Sequence, residues 1–130
     1  MLRRSLLLAL AAAAMLAVTV VSSADAARRH LKLVKSAPAA DSVLTASPAA
    51  IELWFSEKVE LGVSRVRLEG ADAKPIALGA LKLAAGSDNP PLVAPVTTPL
   101  ANGAYTVHWT ATSKDGHVVK GTFAFRVRTN

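Results

Sequence analysis

Two runs near the C-terminus, 105–112 and 122–128, alternate apolar and polar residues so regularly that β-strands are the structure they best fit. In the first, Tyr105, Val107, Trp109 and Ala111 fall on one side and Thr106, His108, Thr110 and Thr112 on the other. In the second, Phe123, Phe125 and Val127 oppose Thr122, Ala124, Arg126 and Arg128. Each strand has one apolar face, so the pair requires another layer to cover it. Between them lies the hydrophilic stretch Ser113-Lys114-Asp115-Gly116-His117, a turn whose wandering is limited by two rigid strands. Its carboxylate and imidazole stand two residues apart, a spacing that projects both to one face of an extended chain and reads as half of a metal site. Gly116 between them permits backbone angles that a side chain would forbid. Asp-Gly is also ordinary hairpin-turn chemistry, so both readings stand at this point.

Short β-like runs separated by Pro, Gly, Asp and Ser recur upstream, without a convincing amphipathic helix. Residues 31–35 form a first strand and 36–48 a turn-rich link. Ile51, Leu53 and Phe55 then alternate inward, leaving Trp54 outside unless something covers it. Further strands are expected over 63–69, 75–78 and 92–95, with 81–85 as an edge segment and Asn102-Gly103 as a turn. About seven short strands without internal repeats predict an all-β fold, a Greek-key, immunoglobulin-like β-sandwich.

The first 26 residues read as a secretory signal peptide: Arg3 and Arg4, an apolar run from Leu6 to Val21, then small residues ending in Ala24-Asp25-Ala26. The run is shorter than the about 20 apolar residues of a spanning helix, so cleavage after Ala26 is expected, leaving a single domain over 27–130. Without Arg3, Arg4 and Asp25, the 15 basic and 9 acidic residues fall to 13 and 8, a net charge of about +5. Those cations are scattered along strands rather than clustered with stacking aromatics, which argues against nucleic acid and for a solvated outer face with some attraction to anionic lipid surfaces. The absence of cysteine leaves the exported domain to core packing alone and excludes thiolate metal sites. Both methionines, Met1 and Met15, fall in the signal peptide, so any metal must be held by nitrogen and oxygen.

Taken together, 30–38 (HLKLVKSAP), 51–57 (IELWFSE) and 103–109 (GAYTVHW), followed by Asp115-Gly116-His117, resemble the CopC family of periplasmic copper-binding proteins. The resemblance spans 27–130. It implies a Greek-key β-sandwich that binds Cu(II) at its edge through His30, Asp115 and His117, with Glu57 nearby as a carboxylate able to hydrogen-bond a ligand imidazole. Cu(II) favours such a set of imidazole nitrogens and carboxylate oxygens. The chain departs from the family at its start, where the leading histidine usually begins the mature protein and offers its amine as well as its ring. Here Ala27-Arg28-Arg29 precede His30, so either further trimming creates the amine ligand or the ring binds alone.

The resulting expectation is a periplasmic, monomeric, non-catalytic protein that sequesters Cu(II) or delivers it to an inner-membrane copper transporter, and that loses metal below about pH 6, where imidazole protonates. His108 reads as an exposed cross-strand residue, and Tyr105 and Trp109 as core. The alternative is a metal-free adhesion or assembly module that uses an exposed Trp54 and a sheet edge. No Ser-His-Asp or paired-carboxylate arrangement with credible spacing suggests an enzyme.

Overall fold

Alternation of apolar and polar residues along 30–130, the residues described by the computed structural model, resolves into nine strands. They are β1 (Leu33–Ala37), β2 (Val43–Leu44), β3 (Ala50–Phe55), β4 (Arg65–Glu69), β5 (Pro75–Ile76), β6 (Lys82–Leu83), β7 (Leu92–Pro95), β8 (Gly103–Thr112) and β9 (Val118–Val127), with a 3₁₀ turn at Leu61–Val63. The expected signal peptide, 1–26, lies outside the described residues.

The strands form two sheets, ordered β1-β3-β7-β6 and β2-β9-β8-β4-β5. Neighbours are antiparallel except β2, which runs parallel to β9. Consecutive strands repeatedly change sheet, as a Greek-key sandwich requires, so the predicted class holds. The strand count exceeds the expected seven because two-residue strands carry too little alternation to be read. β2 is the clearest case, since it sits inside the expected link over 36–48. Asp41, at φ 61°, turns the chain there, and the Arg126 amide donates to the Ser42 carbonyl at 2.9 Å. Residues 81–85 do supply an edge, as β6.

The core lies between the inner faces. Ile51, Leu53 and Phe55 of β3 and Leu92 and Ala94 of β7 meet Tyr105, Val107, Trp109 and Ala111 of β8 and Phe125 and Val127 of β9. Phe55 meets Trp109 edge-on at 5.3 Å between ring centroids, and Tyr105 stacks with Phe125 at 5.5 Å. The Tyr105 hydroxyl donates to the Ala101 carbonyl at 2.5 Å, which gives the one polar atom of that ring a partner.

Gly121 pairs with Trp109 across the β8–β9 ladder, and the indole lies so close that a Cβ at 121 would stand 2.6 Å from Trp109 Cζ2. That glycine is required by packing rather than by backbone angle. Gly121→Ala should therefore destabilise the fold by about 1–3 kcal/mol, the usual range for overpacking. Thermal unfolding followed by tryptophan fluorescence checks this, and an unchanged melting temperature would mean that the indole can move aside at no cost.

Candidate metal centre

The β8–β9 hairpin is paired over ten positions, from Gly103↔Val127 to Thr112↔Val118, and presents its turn at one end of the sandwich. The turn is closed by the Ser113 amide donating to the His117 carbonyl at 2.9 Å and the Gly116 amide donating to the Ser113 carbonyl at 3.0 Å. Gly116 adopts φ 88°, in the left-handed region, so the freedom expected of it is used. This geometry brings Asp115 and His117 together, with Asp115 Oδ2 2.8 Å from His117 Nδ1 and both side chains mostly exposed.

Ser113 sets the carboxylate. Its side chain is buried, at 2 % exposure, and its hydroxyl donates to Asp115 Oδ1. The His117 amide also reaches that oxygen, at 3.4 Å. These bonds, Ser113 first and the His117 ring next, lower the Asp115 pKa to about 2. The carboxylate is thus ionised wherever an imidazole is neutral. An ionised carboxylate can only accept, so Nδ1 of the neutral His117 ring carries the proton and its lone pair lies on Nε2. Chemically the pair has two uses: Asp115 can orient the ring and raise its basicity, or, with the contact opened, both groups can turn donors toward one ion.

Among the described residues, no third histidine or carboxylate is gathered with this pair closely enough to make a group of three or more that could hold a metal. His30 is exposed and precedes the compact unit 31–130. Glu57 is half-buried, on a segment that runs beside the turn: Val59 bridges Ser113, and the Glu60 amide donates to the Thr112 carbonyl at 2.8 Å. Ser56, just before Glu57, is bonded in both directions to Lys32, its amide to the Lys32 carbonyl at 2.9 Å and its hydroxyl receiving the Lys32 amide at 3.0 Å. The start of the compact unit, the segment after β3 and the Asp-Gly-His turn therefore share one rim.

His108 lies on the outer face of the five-stranded sheet, with Nε2 3.0 Å from Glu69 Oε2, in the cross-strand role expected of it. Trp54, on which the adhesion reading rests, is half-buried beneath the Lys35 ammonium, 4.6 Å from the ring centroid. Ser113 is the residue whose role sequence reasoning missed. A hydroxyl two positions before an Asp-Gly turn aspartate is a familiar local acceptor-and-donor pattern, but its burial is set by the tertiary structure, where Val59 bridges Ser113 from a segment far away in the chain.

Ser113→Ala should return the Asp115 pKa toward 3.8, readable by carboxyl NMR titration without any metal. The same change should weaken metal binding by about 10-fold, the lower end for groups that orient a ligand. An unmoved Asp115 titration would show that the hydroxyl does not hold the carboxylate.

Comparison with known proteins places this rim in context. The CopC domain model matches residues 33–128. Protein YobA of Escherichia coli K12 is 38% identical over 99 residues, covering 76% of this chain and 79% of YobA. Among solved structures, CopC from Methylosinus trichosporium OB3b superimposes with a TM-score of 0.69 at 31% identity, covering 78% of this chain and 96% of that one. PcoC, described as a methionine-rich copper resistance protein from Escherichia coli, gives a TM-score of 0.64 at 36% identity, covering 76% and 99%. A family match over nearly all of the sandwich, and close structural likeness at more than 30% identity, lead to one conclusion: the chain belongs to the CopC family of copper-resistance proteins.

Proposed function

We propose that this protein is exported to the periplasm as a domain over 27–130, where it holds Cu(II) and either sequesters it or passes it to an inner-membrane copper transporter, without catalytic turnover. The observation that carries this reading is the Asp115–His117 pair, held at 2.8 Å on a rigid hairpin and backed by a buried Ser113. His30 is the third ligand in this proposal. It supplies its ring, and its amine as well if the chain is trimmed after Arg29. Glu57 supports a ligand imidazole from the neighbouring segment. The oxidation state follows from the donors. Residues 27–130 contain neither cysteine nor methionine, so no sulfur is available to favour Cu(I), in contrast to a relative described as methionine-rich.

Intact-mass measurement of the exported protein, with and without copper, tests the reading. The expected result is a chain beginning at Ala27 or His30 that takes up one Cu(II). Because hydrogen bonds from Ser113 and the His117 ring lower the Asp115 pKa to about 2, acid release of metal should follow protonation of the imidazole ligands rather than of the carboxylate. Equal affinity for Cu(I) and Cu(II), or copper retained unchanged at pH 4, would overturn the proposed ligand set.

A further inference from the structure

The outward side chains of β4, β8 and β9 form a face with one dominant sign of charge. Reading across the ladders from the turn end, the first row holds Thr112 and Val118, then come Arg65–Thr110–Lys120 and Arg67–His108–Thr122, and then Glu69–Thr106–Ala124. Arg126 follows further along β9. Glu69 is the one carboxylate on these outward positions, and it is occupied, with His108 at 3.0 Å and Arg67 at 3.6 Å. Arg65 and Lys120 form no ion pair among the described residues. Together with Arg67, His108, Thr110 and Thr122 they line an open basin of about 510 Å³, in which hydroxyl donors lie between the cations. The outer face of the other sheet is less strongly charged, with two cations to one carboxylate: Glu52 and Lys82 flank Val93, and Lys35 is placed over Trp54.

An apolar collar separates this basin from the Asp-Gly-His turn. Val63 and Val118 are 57% and 61% exposed on either side of Thr112, whose hydroxyl donates to the Val63 carbonyl at 3.2 Å. Successive rows on one face are about 7 Å apart, so a partner of ordinary interface width can touch the collar and both cationic rows while it faces the turn.

We propose that this face, Arg65, Arg67 and Lys120 with the Val63–Val118 collar, docks an acidic protein surface so that the partner is aligned on the metal-binding turn. Charge complementarity selects the acidic partner, and an apolar centre beside charged flanks suits a specific contact. A protein is favoured over an anionic bilayer because Val118 of the collar directly follows the turn that carries Asp115. Lipid headgroups would press a continuous negative surface against that carboxylate, whereas a protein can place its acidic groups over the arginines and leave the turn open. The alignment on the turn rests on the copper reading, since bound Cu(II) would add positive charge next to the collar. The face itself does not rest on it.

Metal-free protein should therefore bind poly-L-glutamate, used here as a defined acidic polypeptide, with amide chemical-shift changes concentrated on β4, β8 and β9. Arg65→Glu combined with Lys120→Glu should weaken this at least tenfold. The charge-matched pair Lys35→Glu and Lys82→Glu, on the outer face of the opposite sheet, should leave it within twofold. Vesicles of 30% phosphatidylglycerol should bind more weakly than the polypeptide at equal charge concentration. Equal losses in both variants, or shifts spread over both sheets, would reduce the effect to net charge and overturn the docking face; tighter binding to vesicles would overturn the protein partner. Because every arm is run without copper, a failed metal site and a failed docking face give different results.

Discussion

His117→Ala should lower Cu(II) affinity at least about 100-fold, roughly 3 kcal/mol of binding free energy, since every tenfold is about 1.4 kcal/mol. The ring is the one imidazole on the Ser113–His117 turn, 2.8 Å from Asp115. The side chain is mostly exposed, so its removal should change folding stability by no more than about 0.5 kcal/mol, and the binding loss can be read without a folding artefact. Asp115→Asn keeps the shape but not the charge, and should cost about 10–100-fold. Competition against a Cu(II) chelator, with the Cu(II) spin-resonance spectrum as a second readout, measures both. If a protein combining His117→Ala with Asp115→Asn binds copper as the unaltered protein does, the turn is not the site and the metal lies elsewhere.

The largest loss of stability is expected from Phe125→Ala. Phe125 is 1% exposed, stacks on Tyr105 at 5.5 Å and sits in the core of β9, between the two sheets. Truncation removes its transfer free energy and leaves a cavity that the paired strands cannot collapse to fill, a combination that costs about 3–5 kcal/mol. For a domain of this size each kcal/mol shifts the melting temperature by about 4–8 °C, so a fall of more than about 12 °C is expected. With no disulfide to limit the unfolded state, nothing covalent offsets that loss. Calorimetry giving a shift under 3 °C would mean that the sheets repack around the gap.

The fold was legible wherever a strand was long enough to show its period. Ile51, Leu53 and Phe55 on β3 and the four inward residues of β8 were placed in the core by alternation alone, and all are buried. β2 and β5 were not legible at their true length. Two residues cannot display a period, and what makes Val43–Leu44 a strand is the free edge of β9 beside it. Of the candidate site, the pairing of Asp115 with His117 was legible because it is local, spanning three residues, the middle one a glycine. The link from Lys32 through Ser56 and Val59 to Ser113 was not, because each contact joins segments far apart in the chain.

The sequence by itself determined the layer architecture, the sulfur-free donor set and the paired carboxylate and imidazole on one turn, since all three depend on residue type and near-neighbour spacing. Only the tertiary structure decided that Ser113 is buried and fixes the Asp115 carboxylate, that Glu69 is taken up by His108 and Arg67, and that Arg65 and Lys120 flank Thr110 in one row across three strands. The physical reason is register. Alternation assigns a side chain to a face, but which residues stand side by side on that face depends on how the strands slide against one another, and that is set by packing of the whole core.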